Sequence, residues 1–485
     1  MLSKIGRVAR FASFAILFVV IPPVCARAQQ ASAPVALTAQ QDHARTLKLL
    51  GLIEDQMRPA PATNPSAPNA TNYDESKANR YPNLPDPLAL NNGQRVTTEE
   101  QWFKQRRPEI VDAFEREILG RAPANLPGVQ WELVGSTHET IGGIAVVTRH
   151  LAGHVDNTSY PQISVTIEME LITPEKAPGP VPVIMELAFA KDYQQALVRP
   201  LPEPLPPPTP GQWGVDMRPV LQRGWGFAIL NPAGFQADDG AGLTQGIIGL
   251  MNHGQPRSLN DWGTLRAWAW GASSALDYLE TDPKVDAAQV GLEGHSRFGK
   301  AVLVTMAYDP RFAIAYSSSS GEGGAKLYRH IFGEQMSNLA SPSLYHWFCG
   351  NFLRYGGPLT PDKLPVDNHE LIALSAPRPV FIGGGASVGD GYAQPNGDAW
   401  GDPKGMFLAE VAAGPVYRLL GAKDLGTTTM PPVGTALVTG TLAFRQHPYG
   451  HTPAPNWPEF LEFASHYLHA PQSAPVLARG AKLSE

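Results

Sequence analysis

Cysteine is nearly absent: the chain has two in 485 residues, Cys25 and Cys349. Cys25 lies in an N-terminal segment expected to be removed, so the mature chain keeps one thiol and cannot close an internal disulfide. Its stability must come from burial, which a chain of this length supplies without covalent staples. Cys349 sits in the apolar run Trp347-Phe348-Cys349 and reads as a buried structural thiol rather than a nucleophile. An excess of basic charge is also missing. Lys and Arg number 38 against 44 Asp and Glu, the net charge is −6, and no Lys/Arg run occurs, so a nucleic-acid partner is not indicated. No H-E-x-x-H or similar His spacing is present, and no Gly-rich dinucleotide fingerprint follows an early strand. No metal and no cofactor are therefore expected. Internal repeats are lacking. Past residue 28, no apolar run approaches the roughly 20 residues needed to span a bilayer.

The N-terminus does carry a short apolar run. Lys4, Arg7 and Arg10 precede Phe11 to Ile21, and Ala26-Arg27-Ala28 follows as a small-x-small cleavage site. Residues 1–28 are expected to be a signal peptide, giving an exported, periplasmic or secreted protein with no membrane attachment after cleavage. A retained N-terminal anchor is the alternative. Residues 29–80 read as an N-terminal extension and linker: an amphipathic helix over Leu37 to Glu54, then a Pro/Ala/Asn/Thr-rich arm over 58–72. A catalytic domain over 81–472 and a tail over 473–485 complete the expected division.

Within that domain a helical stretch spans Thr98 to Ile118, and 127–173 reads as antiparallel strands, with alternation in Ile163-Ser164-Val165-Thr166-Ile167. A Pro-rich run at 199–210 is a surface loop. The pattern then changes. Short apolar runs at Val181–Leu187, Trp225–Leu230, Val290–Glu293, Phe312–Tyr316, Pro379–Ile382 and Leu437–Phe444 suit buried strands. They alternate with helical patterns at Trp262–Leu279, Lys300–Tyr308 and Pro458–Leu468. Strands alternating with helices predict an α/β chain, with a mainly parallel central sheet between two helical layers.

The strongest local motif is Gly294-His295-Ser296-Arg297-Phe298-Gly299-Lys300, between a strand and a helix. A serine on so sharp a turn is lifted from the sheet, and the helix N-terminus aims N–H groups at a developing oxyanion. This is the nucleophile elbow of the α/β-hydrolases. The second Gly falls one residue later than G-x-S-x-G requires. A Ser that only caps the helix is the alternative. In that fold an acid and then a His follow the Ser along the chain. His451, in Tyr449-Gly450-His451-Thr452-Pro453 after the last strand, is the expected base, ahead of His447, His466 and His469. The acid is either Glu322 or Asp398, with Asp390 and Asp402 as weaker options.

These segments together carry a family resemblance. The Gly294–Lys300 segment resembles the G-x-S-R-x-G-K signature of the glucuronoyl esterases, carbohydrate esterase family 15, where the late Gly is normal. Gly321-Glu322-Gly323-Gly324-Ala325-Lys326, Arg329-His330-Ile331-Phe332-Gly333-Glu334, Asp398-Ala399-Trp400-Gly401-Asp402-Pro403 and Gly450-His451-Thr452 are similar to bacterial members, in the same order. The resemblance implies hydrolysis of the ester between a glucuronic acid on xylan and a lignin alcohol, without a cofactor and as a monomer. It implies Ser296 as nucleophile and His451 as base. Arg297 would stabilise the oxyanion, and Lys300, Glu334 and Trp400 would hold the sugar. It further implies an acid at one of two positions, both filled here; Glu322 is favoured, with Asp398 partly redundant. Two features depart from the fungal members: their disulfides cannot form, and residues 29–75 have no catalytic content. The rival readings are an acetylxylan or general carboxylesterase, and a non-catalytic glycan-binding relative.

Overall fold

The computed structural model describes residues 33–62, 64, 66–189, 214–386 and 397–471. The expected signal segment, the Pro-rich run 199–210, Asp390 and the tail 473–485 lie outside the described residues. Ten strands follow one another: β1 (Val129–Ile141), β2 (Ile144–Val155), β3 (Thr166–Pro174), β4 (Val181–Leu187), β5 (Gly226–Leu230), β6 (Val285–His295), β7 (Ile314–Ser318), β8 (Val380–Gly385), β9 (Ala436–Leu437) and β10 (Leu442–His447). Among the described residues they form a single sheet in the order β1-β2-β3-β5-β4-β6-β7-β8-β10-β9. Pairings within β1, β2, β3 and β5 are antiparallel; from β5 to β10 every pairing is parallel, and β9 adds antiparallel to β10. Gly142 and Gly143, at φ 57 and 80, join β1 to β2 in a two-residue turn whose positive φ at both positions suits glycine.

The apolar runs are buried because the sheet is covered on both faces. In β4, Val183, Met185 and Leu187 join one core while Ile184 joins the other. In β5, Ala228 and Leu230 face one side and Phe227 and Ile229 the other. Successive side chains of a strand point to opposite faces, so a strand between two helical layers is apolar at every position. The first core takes side chains from α2 (Thr264–Leu279), α3 (Arg297–Tyr308) and α4 (Pro403–Leu419), among them Trp268, Leu276, Val302 and Phe407. The second takes Trp457, Phe460 and Phe463 from α5 (Trp457–Ala464), packed on Tyr316 and Phe381. This is a three-layer α/β-hydrolase sandwich.

Departures from the sequence reading have local causes. The N-terminal helix is shorter than Leu37–Glu54: α1 spans Ala39–Leu49, opened by a capping box between Thr38 and Gln41 and ended before Gly51 at φ 70. The expected strand Leu437–Phe444 is divided into β9 and β10. Between them Gly440 lies so close to the Asp424 carbonyl that a Cβ there would sit 2.0 Å from its oxygen, which leaves no room for a side chain. Of Ile163 to Ile167, only the last two residues lie in β3. The segment between β7 and β8 is built from short helical turns and carries much of the site. No helix of the described residues is long and apolar enough to cross a membrane.

Candidate active site

The parallel strands deliver their chemistry at one edge, because each ends on the same side of the sheet and is followed by a loop there. Ser296 follows β6, at φ 58 and ψ −124, and opens α3. That backbone is strained for a non-glycine residue and is held from both sides. The Ser296 N–H donates to Ser318 O at the end of β7, at 2.8 Å. A methyl group on Gly294 would lie 2.6 Å from Phe298 O, and one on Gly299 would lie 2.9 Å from Ser318 O and 3.0 Å from Gly294 O. The late Gly is therefore where the first turn of α3 crosses the elbow, and Phe298, at the position usually occupied by Gly, is buried against Trp268 with ring centroids 4.9 Å apart.

His451, in the loop after β10, packs its ring on His295, the residue before Ser296, with centroids 4.2 Å apart. Its Nδ1–H donates to Asp398 Oδ1 at 2.7 Å. Asp398 is fully buried, and its other oxygen accepts from the Ser319 hydroxyl and the Gly385 N–H. Burial, and after it the neighbouring His451 ring, push His295 well below its ordinary value, so it stays neutral beside the elbow. His447, the other nearby candidate base, donates Nε2–H to Thr452 O at 2.9 Å and accepts the Tyr449 N–H, bracing the loop that presents His451.

The favoured acid is elsewhere. Glu322 is buried, but its carboxyl is paired with Lys326 rather than with His451. Burial raises it, against the opposing pull of Lys326, to about 8. The structure thus brings Asp398 to the His and turns Glu322 away, which reverses the preferred order of the two acids. The chain passes Ser319 at φ 46 and Gly321 at φ 58, and this reversal directs Ser319 to Asp398 and Glu322 to Lys326. Asp402 caps α4, accepting the Gly405 N–H at 2.8 Å, and takes a hydrogen bond from His330 Nδ1 at 2.6 Å. It is a structural carboxylate.

Lys300 lies one helical turn past Ser296, and its ammonium donates to Glu334 Oε2 at 2.9 Å, Ser320 O at 2.7 Å and the Glu322 carbonyl. Burial lowers its pKa, with Glu334 opposing. Glu334 Oε2 also accepts the Glu322 N–H at 3.0 Å, and the Glu334 N–H donates to Trp400 O at 2.8 Å. Trp400, half-buried, shares a short helical turn, Gly397–Gly401, with Asp398. The three residues expected to hold a sugar are therefore linked to one another and, through the turn Gly397–Gly401, to Asp398.

The sequence reading missed several neighbours. Arg297 pairs with Asp238, from the loop after β5. Asp238 also accepts from Trp347 Nε1 at 2.7 Å and His346 Nε2 at 3.0 Å. The Trp347 ring lies 5.3 Å from the Arg297 guanidinium and 5.5 Å from Lys300 Nζ. The signal available in the sequence was topological: Asp238 follows a parallel strand on its carboxyl side, where functional loops gather. Cys349 is buried and free, and burial pushes its thiol up to about 11, unsuited to a nucleophile.

Fold and elbow define the class, the α/β-hydrolases, and comparison with known proteins narrows it. A family model described as glucuronyl esterase, fungi, matches residues 257–421. The carbohydrate esterase MZ0003, from an unknown prokaryotic organism, is 32% identical over 435 residues, 83% of this chain and 93% of its own. The 4-O-methyl-glucuronoyl methylesterase of Schizophyllum commune is 28% identical over 70% of this chain and 74% of its own. Among solved structures, a family 15 glucuronoyl esterase from Teredinibacter turnerae is 40% identical with a TM-score of 0.78, covering 88% of this chain and 99% of that one. The chain belongs to the glucuronoyl esterases of carbohydrate esterase family 15, and it is a carboxylic ester hydrolase.

Proposed function

We propose that this esterase hydrolyses the ester between a glucuronic acid of glucuronoxylan, bare or 4-O-methylated, and a lignin alcohol. Ser296 Oγ attacks the uronoyl carbonyl carbon while His451 takes its proton, and Asp398 orients and stabilises the resulting imidazolium. The oxyanion is held by the Arg297 N–H and guanidinium. Collapse breaks the bond to the alkoxy oxygen, which leaves as the alcohol with the proton from His451, and an ester remains on Ser296. Water, deprotonated by His451, attacks that ester and releases the uronic acid and the free serine. The observation that carries this reading is Glu334, a buried carboxyl held by Lys300, one turn past the nucleophile, and tied through its N–H to Trp400. A neutral uronate ester presents vicinal hydroxyls and a C–H face on its acyl side, which a carboxylate acceptor and an aromatic edge suit. An acetyl group offers neither.

In this reading residues 1–28 direct export and are cleaved, 81–472 form the catalytic domain after the extension 29–80, and the enzyme acts as a monomer on glucuronoxylan or lignin-carbohydrate esters. The test is paired hydrolysis of benzyl glucuronate and p-nitrophenyl acetate by the mature protein, with Ser296→Ala as control. Strong Ser296-dependent cleavage of the uronate ester and a weak acetyl rate are expected. The opposite preference moves the substrate to acetyl or general esters, and inactivity on both favours a glycan-binding protein.

A further inference from the structure

Arg297 is the first residue of α3, and one edge of its guanidinium is committed. Nη1 donates to Asp238, while the indole of Trp347 and the ring of Phe189 lie 5.3 and 5.8 Å from the guanidinium carbon. Its Nε, buried, has no hydrogen-bond partner among the described residues. A guanidinium fixed at one nitrogen and flanked by rings keeps its plane, and its remaining N–H groups stay available to a developing oxyanion. Without such a hold, a side chain this long spreads over many rotamers.

The hold is itself held. The Asp238 carboxylate takes three donors, Arg297, Trp347 Nε1 and His346 Nε2, which leaves it little rotational freedom. Burial acts to raise its pKa, but the His346 hydrogen bond, the Arg297 charge and the Trp347 hydrogen bond more than offset this, so it remains a carboxylate. His346 and Trp347 lie on the helical turn Tyr345–Trp347, and α1 grips that turn. The Tyr345 hydroxyl donates to Asp42 Oδ2 at 2.9 Å, and the His43 ring meets Tyr345 edge-on at 5.1 Å. Asp42 is oriented in turn by Arg45 Nε at 2.8 Å, and His43 Nε2 donates to Ala340 O at 2.9 Å. The three elements meet at Gly240, two residues past Asp238. A methyl group there would lie 2.7 Å from the Tyr345 hydroxyl oxygen and 2.9 Å from Ala39 Cβ, so a side chain at this junction would have to displace Tyr345 or α1.

We propose that Asp238 is a positioning residue for Arg297, and that helix α1 of the N-terminal extension braces it through the turn Tyr345–Trp347. The proposal rests on Arg297 stabilising the oxyanion, and it gives the extension a part in the reaction although none of its residues touches the substrate. Displacement of a catalytic group by about 1 Å, from a change far from the chemistry, can cost on the order of 100-fold in rate.

The test is kinetic, with the mature chain on benzyl glucuronate, using Asp238→Asn, Tyr345→Phe, Arg297→Ala and each of the first two combined with Arg297→Ala. Thermal unfolding and fluorophosphonate labelling of Ser296 report whether each variant is folded with its nucleophile intact. Arg297→Ala is expected to lose about 100- to 1,000-fold in kcat. Asp238→Asn should lose about 10- to 100-fold in kcat with KM little changed, and Tyr345→Phe a smaller loss of the same kind. In the Arg297→Ala background both further changes should be silent, because the residue they act through is gone. Losses that persist undiminished in that background overturn the proposal, as does wild-type kcat in Asp238→Asn. Wild-type kcat in Arg297→Ala removes the oxyanion reading itself, which is a separate failure. If Asp238→Asn does not fold, Tyr345→Phe decides alone, since it removes one hydroxyl and leaves all three donors to Asp238 in place.

Discussion

Two buried carboxyls, Glu322 and Asp398, stand in the same region of the chain, and their surroundings separate their roles. Asp398 accepts from His451, Ser319 and Gly385, which in the proposed reaction orients it to stabilise a charged imidazole. Glu322 is paired with Lys326, whose ammonium also donates to Glu334 O at 2.7 Å. The Glu322 main chain, through its N–H to Glu334 and its carbonyl to Lys300, supports that pair whatever its side chain is. Asp398→Asn is therefore expected to lower kcat by roughly 1,000- to 10,000-fold, since an amide cannot hold the His in its productive tautomer. Glu322→Gln should keep kcat within about tenfold of wild type, because the side chain it changes meets Lys326 and not His451. Rates measured side by side on one uronate ester decide between them, and equal losses would make both carboxyls part of the triad. That the chain offered two acids was legible in the sequence. Which one meets the His was not, because it depends on the positive φ angles of Ser319 and Gly321, and these follow from contacts made only in the folded chain.

In the proposed reaction the elbow is the element on which the chemistry depends, and its glycines are spaced by backbone crossing rather than by sequence rule. Gly294, near the end of β6, lies against Phe298 O, and Gly299 passes both Gly294 O and Ser318 O, with main-chain atoms that cannot move aside as a side chain would. Gly299→Ala and Gly294→Ala are each expected to destabilise the protein by about 1–3 kcal/mol, as overpacking against fixed atoms does. Both should also slow covalent labelling of Ser296. Gly128→Ala, with nothing within 4 Å of the added methyl, is the matched control and should leave melting temperature and labelling nearly unchanged. The strand-turn-helix arrangement was readable from the small residues around Ser296. The long excursion between β7 and β8 was not, because its short helical turns are set by contacts with Asp238, Asp367 and α1 and carry no strong periodicity.

At the scale of the whole molecule, buried ionisable groups set how stability responds to pH. Burial lowers His295 and His346 below their ordinary 6.5, so the protons they take up in the unfolded chain oppose folding as pH falls through that value. Burial raises Glu322 to about 8 and Glu410 well above the ordinary 4.5. Each contributes stability that is fully present below 4.5 and is lost as pH rises through its folded value, because the unfolded chain has already released the proton. The melting temperature is expected to form a dome against pH, with the glutamates acting on its alkaline limb and the histidines on its acid limb. Glu410→Gln, on α4, should flatten the alkaline limb without changing kcat on benzyl glucuronate, since Glu410 has no part in the proposed reaction. An unchanged limb in melting curves between about pH 5 and 9 would mean that Glu410 is ionised in the folded protein.

The sequence by itself determined the α/β class, the elbow with Ser296, the His after the last strand, and the esterase family. Each of these is written in a local pattern: alternating apolar runs, small residues about one serine, a few short motifs in order. Only the tertiary structure decided which acid faces His451 and what holds Arg297. It also joined the N-terminal helix to the active-site wall. Those outcomes depend on residues far apart in the chain, Asp42 with Tyr345, Asp238 with Arg297, Ser319 with Asp398. They meet because the sheet brings the ends of its strands to one edge, and no local pattern encodes that meeting.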